Sequence, residues 1–115
     1  EVHDVVLRAQ LAGIEAGRAG VTGAEADEAA RQVVRDAGYG ERFGHPLGHG
    51  VGLEIHEGPG LRRESTDVVP EGAVVTVEPG VYLPGIGGVR IEDMVVVEAG
   101  GALPLPRSPR ELVVL

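Results

Sequence analysis

An α+β fold is predicted, because helical patterns at the start of the chain give way to strand patterns that continue to its end. Apolar residues recur at helical spacing up to about Ala37. Beyond Gly38 the apolar period falls to two and glycine becomes frequent, which is typical of strands joined by turns. The 115 residues suffice for one small domain or for part of a larger one.

Two helices are predicted before the strands. The first covers about residues 2–18, where Val and Ala recur at helical spacing. The second begins at Thr22 and ends near Ala37, because Thr22 and Glu25 have the spacing of a capping box. Gly38 stands where a left-handed C-terminal cap is usual. Both helices are expected to be structural.

The strands are predicted from alternating apolar residues bounded by Pro and Gly. In chain order they cover residues 47–55, 73–77, 89–97 and 111–115. Short turns of Pro and Gly separate them, so we expect the strands to pair antiparallel. The order of helices followed by such strands supports the α+β class.

Composition excludes several classes of function. The formal net charge of −8 argues against nucleic acid as a partner, since a basic surface would be required. No apolar run approaches the roughly 20 residues of a membrane span, and no signal peptide is recognised, so a cytoplasmic location is expected. The absence of cysteine rules out disulfides and thiolate metal sites.

Three histidines stand close together among glycines: His45, His49 and His56. One alone would more often be an ordinary hydrogen-bonded residue than a ligand. Strict alternation places His45 and His49 on one face of the predicted strand and His56 on the other. We expect a bulge or bend, which the neighbouring glycines permit, to bring all three together.

Carboxylates follow on the later strands. Glu78 ends one strand, and Arg90 and Glu92 lie two residues apart on the predicted strand 89–97, hence on one face. A solvated strand end and an exposed ion pair are the alternative interpretations. Asp93 faces the other way and is interpreted as structural. A carboxylate among apolar residues needs a partner such as a metal ion, and imidazole with carboxylates is a ligand set of transition-metal hydrolases.

These motifs together resemble the C-terminal half of the catalytic domain of pita-bread-fold metallopeptidases. The segment GHGVGLEIHE is followed by Glu78 in VEPG, 29 residues after His49, and by Glu92 in VRIED, 14 residues later. The Arg-Ile-Glu-Asp sequence is similar to the Xaa-Pro branch, aminopeptidase P and prolidase. The resemblance covers residues 1–115 and implies a partial catalytic domain with two helices and a curved antiparallel sheet.

The family implies two divalent metal ions. His49 would be a ligand of one metal, Glu78 a ligand and the general base, and Glu92 a bridge between both metals. Mn²⁺ is favoured, while Co²⁺, Zn²⁺ and Fe²⁺ are accepted by such ligands. Two closely spaced ions can activate water and polarise the scissile carbonyl.

The family also implies roles toward a proline-containing peptide. His45 would line the substrate pocket, and His56 would hydrogen-bond the tetrahedral intermediate. Arg90 would lie behind the ligands, near the proline end of the site. The expected reaction is hydrolysis of the bond between an N-terminal residue and proline; whether by a dipeptidase or an aminopeptidase is left open.

Two Asp ligands of the family lie on a hairpin before the first helix, and neither Asp4 nor Asp27 takes their place. We therefore expect a proteolytic or cloned fragment that is inactive alone and binds at most one metal ion, weakly. Half of a two-fold symmetric fold exposes an edge, so a homodimer is expected. The alternatives are a non-catalytic pita-bread module that binds peptides or proteins, and the creatine-hydrolysing branch. The presence of both Glu78 and Glu92 argues against the latter branch.

Overall fold

The computed structural model describes residues 1–51 and 57–105. Two helices precede a short 3₁₀ turn and seven strands. The helices are α1 (Val2–Ala16) and α2 (Gly23–Asp36), and the 3₁₀ turn covers Gly40–Arg42. The strands are β1 (Gly48–Gly50), β2 (Glu57–Leu61), β3 (Val74–Val77), β4 (Gly80–Leu83), β5 (Gly87–Arg90), β6 (Asp93–Glu98) and β7 (Gly101–Pro104).

The predicted α+β class is confirmed. The described strands form a five-stranded sheet of order β2-β1-β3-β6-β7 and a two-stranded sheet of β4 and β5. Every pairing between these named strands is antiparallel. Between β1 and β2 the register shifts after His49, which is the irregularity predicted for this glycine-rich segment.

The helices form where the sequence predicts them. The Thr22 hydroxyl accepts a hydrogen bond from the Glu25 backbone N–H, and the Glu25 carboxylate accepts one from the Thr22 N–H, so the capping box is confirmed. Gly38 has a φ of 91°, a left-handed conformation that glycine adopts without steric cost. The first helix ends at Ala16, two residues before the predicted end.

One core lies between the helices and the five-stranded sheet. Alternate residues of the central strands, such as Val75, Val77, Val95 and Val97, are almost fully buried there. Ala9 and other small residues of the helices let these two layers pack closely. Burial of each valine stabilises the fold by roughly 1.5–3 kcal/mol relative to exposure. This packing fixes the strands on which the candidate site residues are placed.

The predicted long strand over residues 89–97 is wrong. Its first part belongs to β5, which pairs with β4, and its second part belongs to β6, which pairs with β3. Ile91 and Glu92 lie between the two strands, where the chain passes from one sheet to the other. Arg90 and Glu92 therefore do not share a strand. Local alternation could not reveal the break, because apolar residues continue through it.

Three strands were missed: β2, β4 and β7. They are short and rich in Gly or Pro, which weakens their local signal. Of the predicted strand 47–55, the structure contains β1, while residues 52–56 lie outside the described residues. The predicted strand 111–115 also lies outside them.

Candidate functional site

Most of the predicted site residues line one cleft. It has a volume of about 480 Å³ and opens beside the ends of β1 and β3. Its walls are formed by His45, Pro46, Gly48, His49, Gly60, Arg62, Glu78 and Arg90. His45, His49, Glu78 and Arg90 are therefore brought together, as predicted. His56 lies outside the described residues.

His49 is held from two sides by the sheet. Its backbone N–H donates to Thr76 Oγ1 at 3.0 Å, and its Nδ1 lies 2.9 Å from the Gly50 carbonyl oxygen. A carbonyl only accepts, so this contact favours the tautomer with the proton on Nδ1. Nε2 is then the ring nitrogen that faces Glu78 Oε2, at 3.5 Å. Such an orientation is typical of histidines that bind metals.

Glu78 follows β3 and enters the cleft. Its backbone N–H donates to the Leu47 carbonyl at 2.7 Å, which ties it to the segment before β1. Its side chain is 16% exposed. Arg90 Nη1 lies 3.9 Å from Glu78 Oε1, so a cation already stands beside this half-buried carboxylate.

Glu92 lies next to the same arginine, with Arg90 Nη2 3.7 Å from Glu92 Oε1. Burial raises the pKa of Glu92, and the neighbouring Glu78 carboxyl raises that pKa further, whereas Arg90 and His49 lower it. The two carboxylates thus repel one another, with Glu78 in the lining of the cleft and Glu92 beside it. A cation placed between them would relieve that repulsion.

His45 adopts a defined tautomer through two neighbours. Nδ1 lies 2.7 Å from the Pro46 carbonyl, so Nδ1 donates and Nε2 accepts from the Tyr82 hydroxyl at 2.8 Å. The ring also packs edge-on against Phe43, with centroids 5.1 Å apart. Tyr82 on β4 was not singled out from the sequence, because the strand that carries it was missed.

The donors fit a divalent transition metal ion in type, since one imidazole and two carboxylates come from three different segments. Within the described ranges 1–51 and 57–105, no group of three His, Asp or Glu side chains is arranged to hold a metal ion. His49 contacts Glu78, and Arg90 bridges Glu78 and Glu92. The predicted ligands are thus neighbours, but they do not enclose a common point.

Other polar residues support the cleft without being predicted. Asp27 and Arg31 form a buried ion pair on α2, and Thr76 accepts a hydrogen bond from the His49 N–H. The Asp–Arg spacing of four residues on an alanine-rich helix face was an available signal.

Among the described residues, no helix has the length and apolar character required to cross a membrane.

The chain is similar in sequence and fold to several known peptidases. The chain is 48% identical over 113 residues to a Xaa-Pro dipeptidase of Pyrococcus furiosus, covering 98% of the chain and 32% of that protein. A solved Xaa-Pro dipeptidase from Bacillus anthracis superposes with a TM-score of 0.96 at 53% identity, over 99% of the chain and 32% of that structure. An X-Pro aminopeptidase from Thermotoga maritima gives a TM-score of 0.94 at 48% identity, over 99% and 32%.

The chain spans about a third of the length of these relatives. Residues 1–99 match the sequence profile of metallopeptidase family M24. This match includes both helices and the segments that carry His45, His49, Glu78, Arg90 and Glu92. The chain therefore belongs to metallopeptidase family M24.

Proposed function

We propose that this chain is the C-terminal part of the catalytic domain of a metal-dependent peptidase that hydrolyses the bond between an N-terminal residue and proline. The observation that carries the proposal is that His49 and Glu78 line one cleft, with Glu92 next to Glu78 and Arg90, in a chain that belongs to this family. The relatives reported above are a Xaa-Pro dipeptidase from each of two organisms and an X-Pro aminopeptidase. Dipeptides and longer peptides that begin with Xaa-Pro are thus both candidate substrates.

His49, Glu78 and Glu92 would hold divalent ions, with Mn²⁺ favoured and Glu92 shared between two of them. The bound ions would polarise the scissile carbonyl and make water a better nucleophile at neutral pH. Glu78 would accept the proton of the attacking water and pass it to the proline nitrogen as the bond breaks. Its position at the end of β3, where its side chain is 16% exposed, lets the carboxylate reach both the cleft and solvent.

The remaining residues would orient the peptide. His45, held by Pro46 and Tyr82, would form one wall of the substrate pocket. Arg90 would keep the two carboxylates apart and close the proline end, because its guanidinium lies within 4 Å of both. His56, outside the described residues, would donate to the developing oxyanion.

We further propose that the 115-residue chain alone binds one ion weakly and does not turn over substrate. Three ligands are fewer than a two-metal site needs, and missing ligands also fail to orient the others. The activity would belong to the longer protein.

Calorimetric titration of Mn²⁺ into the metal-stripped chain tests the ligand set. We expect about one weak site, abolished in His49→Gln and Glu78→Gln. Glu71→Gln, in an exposed turn, is the matched control and should bind like the unaltered chain. Equal Mn²⁺ affinity in all four proteins would refute the ligand assignment, and two tight sites would refute the incomplete site.

A non-catalytic peptide-binding module is the second candidate. It is favoured by one observation: Arg90 bridges Glu78 and Glu92 as a cation would, and no three donors enclose a common point in the described residues. Binding of a Gly-Pro peptide that persists in chelator and in Glu78→Gln would support the module. Loss of peptide binding under both conditions would support the peptidase.

We also propose that the chain forms a homodimer through the edge of its larger sheet. β7 ends the strand order, and Leu103 on β7 and Leu105 just after it are each about half exposed. Exposed apolar edge strands tend to pair. Sedimentation equilibrium should give a dimer that Leu103→Lys dissociates. Ile86→Lys, at an exposed position in the turn between β4 and β5 of the smaller sheet, should not dissociate it. A monomer at high concentration would contradict the dimer.

A further inference from the structure

A buried ion pair on α2 contacts the segment 43–47, which supplies part of the lining of the cleft. Arg31 Nε and Nη2 donate to the two oxygens of Asp27 at 2.8 and 3.0 Å, in a bidentate arrangement. The side chains are only 4% and 1% exposed. Removing two charges from water is costly, and such a pair contributes little net stability on its own. Its other contacts therefore indicate what the pair does.

Arg31 uses its remaining donors on the segment that carries His45. Nη1 donates to the Phe43 carbonyl at 2.6 Å, and Nη2 donates to the His45 carbonyl at 3.1 Å. The guanidinium also lies 4.0 Å from the centroid of the Phe43 ring. One planar side chain thus fixes two carbonyls and one ring of the segment, which an ammonium group could not do.

Asp27 reaches Glu78 through one intermediate residue. Its Oδ1 accepts a hydrogen bond from the Leu47 backbone N–H at 3.0 Å. The Leu47 carbonyl accepts the Glu78 backbone N–H at 2.7 Å. Leu47 is itself fully buried, so this relay lies in a region of low dielectric, where hydrogen bonds are strong.

We propose that the Asp27–Arg31 pair fixes the backbone of His45 and the backbone of Glu78 in position relative to each other. Arg31 fixes the His45 side of the cleft, and Asp27 fixes Leu47 and, through it, Glu78. Arg31 and Asp27 act through backbone groups of His45 and Leu47, so both are positioning residues and not catalytic ones. The functional meaning rests on the proposed function, whereas the positioning itself is a property of the metal-free chain.

The test uses the metal-free 115-residue chain and two variants. Arg31→Lys keeps a positive charge beside Asp27 but loses the fork to the two carbonyls. The double variant Asp27→Asn/Arg31→Gln removes both charges, so it leaves no unpaired charge buried. It keeps the proposal testable if Arg31→Lys folds poorly. Arg35→Lys is the matched control, because Arg35 forms an exposed ion pair with Glu28 on the same helix.

Amide hydrogen exchange measured by NMR is the first readout. We expect the N–H groups of Leu47 and Glu78 to exchange about tenfold faster in both variants, with the Val34 amide of α2 nearly unchanged. Unchanged exchange at Leu47 and Glu78 would overturn the proposal. Equal acceleration at Val34 would also overturn it, because the pair would then act on global stability.

Mn²⁺ affinity is the second readout. Loss of a residue that orients a ligand typically weakens metal binding about 10–100-fold, so a loss of about tenfold is expected in the variants and none in Arg35→Lys. Faster local exchange in a chain that binds no Mn²⁺ would support the positioning role while refuting the metal site. If the variants bind Mn²⁺ and exchange their amide hydrogens as the unaltered chain does, the positioning role is refuted and the metal site is not.

Discussion

Gln10 on α1 donates a hydrogen bond to Asp93 at the first residue of β6, with Nε2 2.8 Å from Oδ2, although 83 residues separate them. Gln10 is fully buried and Asp93 is 5% exposed. Asp93 directly follows Glu92, where the chain passes from β5 to β6. The bond between helix and sheet thus anchors the segment that carries a candidate metal ligand. Asp93, interpreted from the sequence as structural, thus links a helix to the sheet.

Replacement of Gln10 by Met should lower the free energy of unfolding by about 1–3 kcal/mol. The change keeps most of the side-chain volume but removes a buried hydrogen bond to a carboxylate. Urea denaturation gives the measurement. Gln32→Met on the exposed side of α2 is the control and should change stability by less than about 0.5 kcal/mol. Equal losses in the two variants would contradict this role of Gln10.

Gly48→Ala should be among the most destabilising single changes in β1. A Cβ at Gly48 would lie 1.8 Å from the Thr76 carbonyl oxygen, so β1 would have to move away from β3. We expect a loss of at least about 2 kcal/mol in urea denaturation. Gly44→Ala is the control, because a Cβ there meets no atom within 4 Å. A Gly48 variant as stable as the Gly44 variant would show that the strands tolerate the shift.

The helices could be predicted because their signals are local. The reciprocal hydrogen bonds between Thr22 and Glu25 need no other part of the chain, and neither does the left-handed Gly38. The break at Ile91 and Glu92 could not be predicted, since it depends on β5 and β6 choosing different partners. Such a choice is decided by long-range packing that alternation does not encode.

The candidate site divides in the same way. The resemblance of the motifs to pita-bread-fold metallopeptidases, and not residue type alone, selected His49, Glu78 and Glu92 as a set. Their mutual placement depends on tertiary contacts, such as the Glu78 N–H on the Leu47 carbonyl and the pairing of Gly50 with Val75. The buried pair on α2 was missed because a helix pattern reveals an inward face but not what a polar residue on that face contacts.

Tyr82→Phe should remove the hydrogen bond to Nε2 of the His45 ring with little effect on the fold. The variant removes the hydroxyl that donates to Nε2 and leaves the contact of Nδ1 with the Pro46 carbonyl. Tyr82 is 39% exposed, so we expect a loss of about 1 kcal/mol or less. The ¹⁵N shift of Nε2 should change in long-range NMR spectra. Tyr39→Phe is the control, and the same Nε2 shift in both variants would refute the hydrogen bond.

The stability of the metal-free chain should depend on pH because the Glu92 carboxylate is partly buried and is repelled by the Glu78 carboxylate. Burial and the Glu78 carboxyl raise the pKa of Glu92 in the folded state above its unfolded value of about 4.5. The folded state then binds the Glu92 proton more tightly than the unfolded state does. Stability therefore falls as the pH rises from the unfolded pKa of Glu92 to its folded pKa. The destabilising effect is absent below the unfolded pKa and fully present above the folded pKa.

Glu92→Gln should therefore raise the unfolding temperature of the metal-free chain at pH 7 and leave it unchanged near pH 4. The gain should be small, because the Glu92 side chain is 42% exposed and solvent screens the repulsion. Glu71→Gln, in an exposed turn, should give no such gain at either pH. Mn²⁺ should reverse the order at pH 7, since an ion bound between the carboxylates stabilises only the chain that keeps both. A Glu92→Gln chain that gains as much from Mn²⁺ as the unaltered chain would show that Glu92 does not bind the ion.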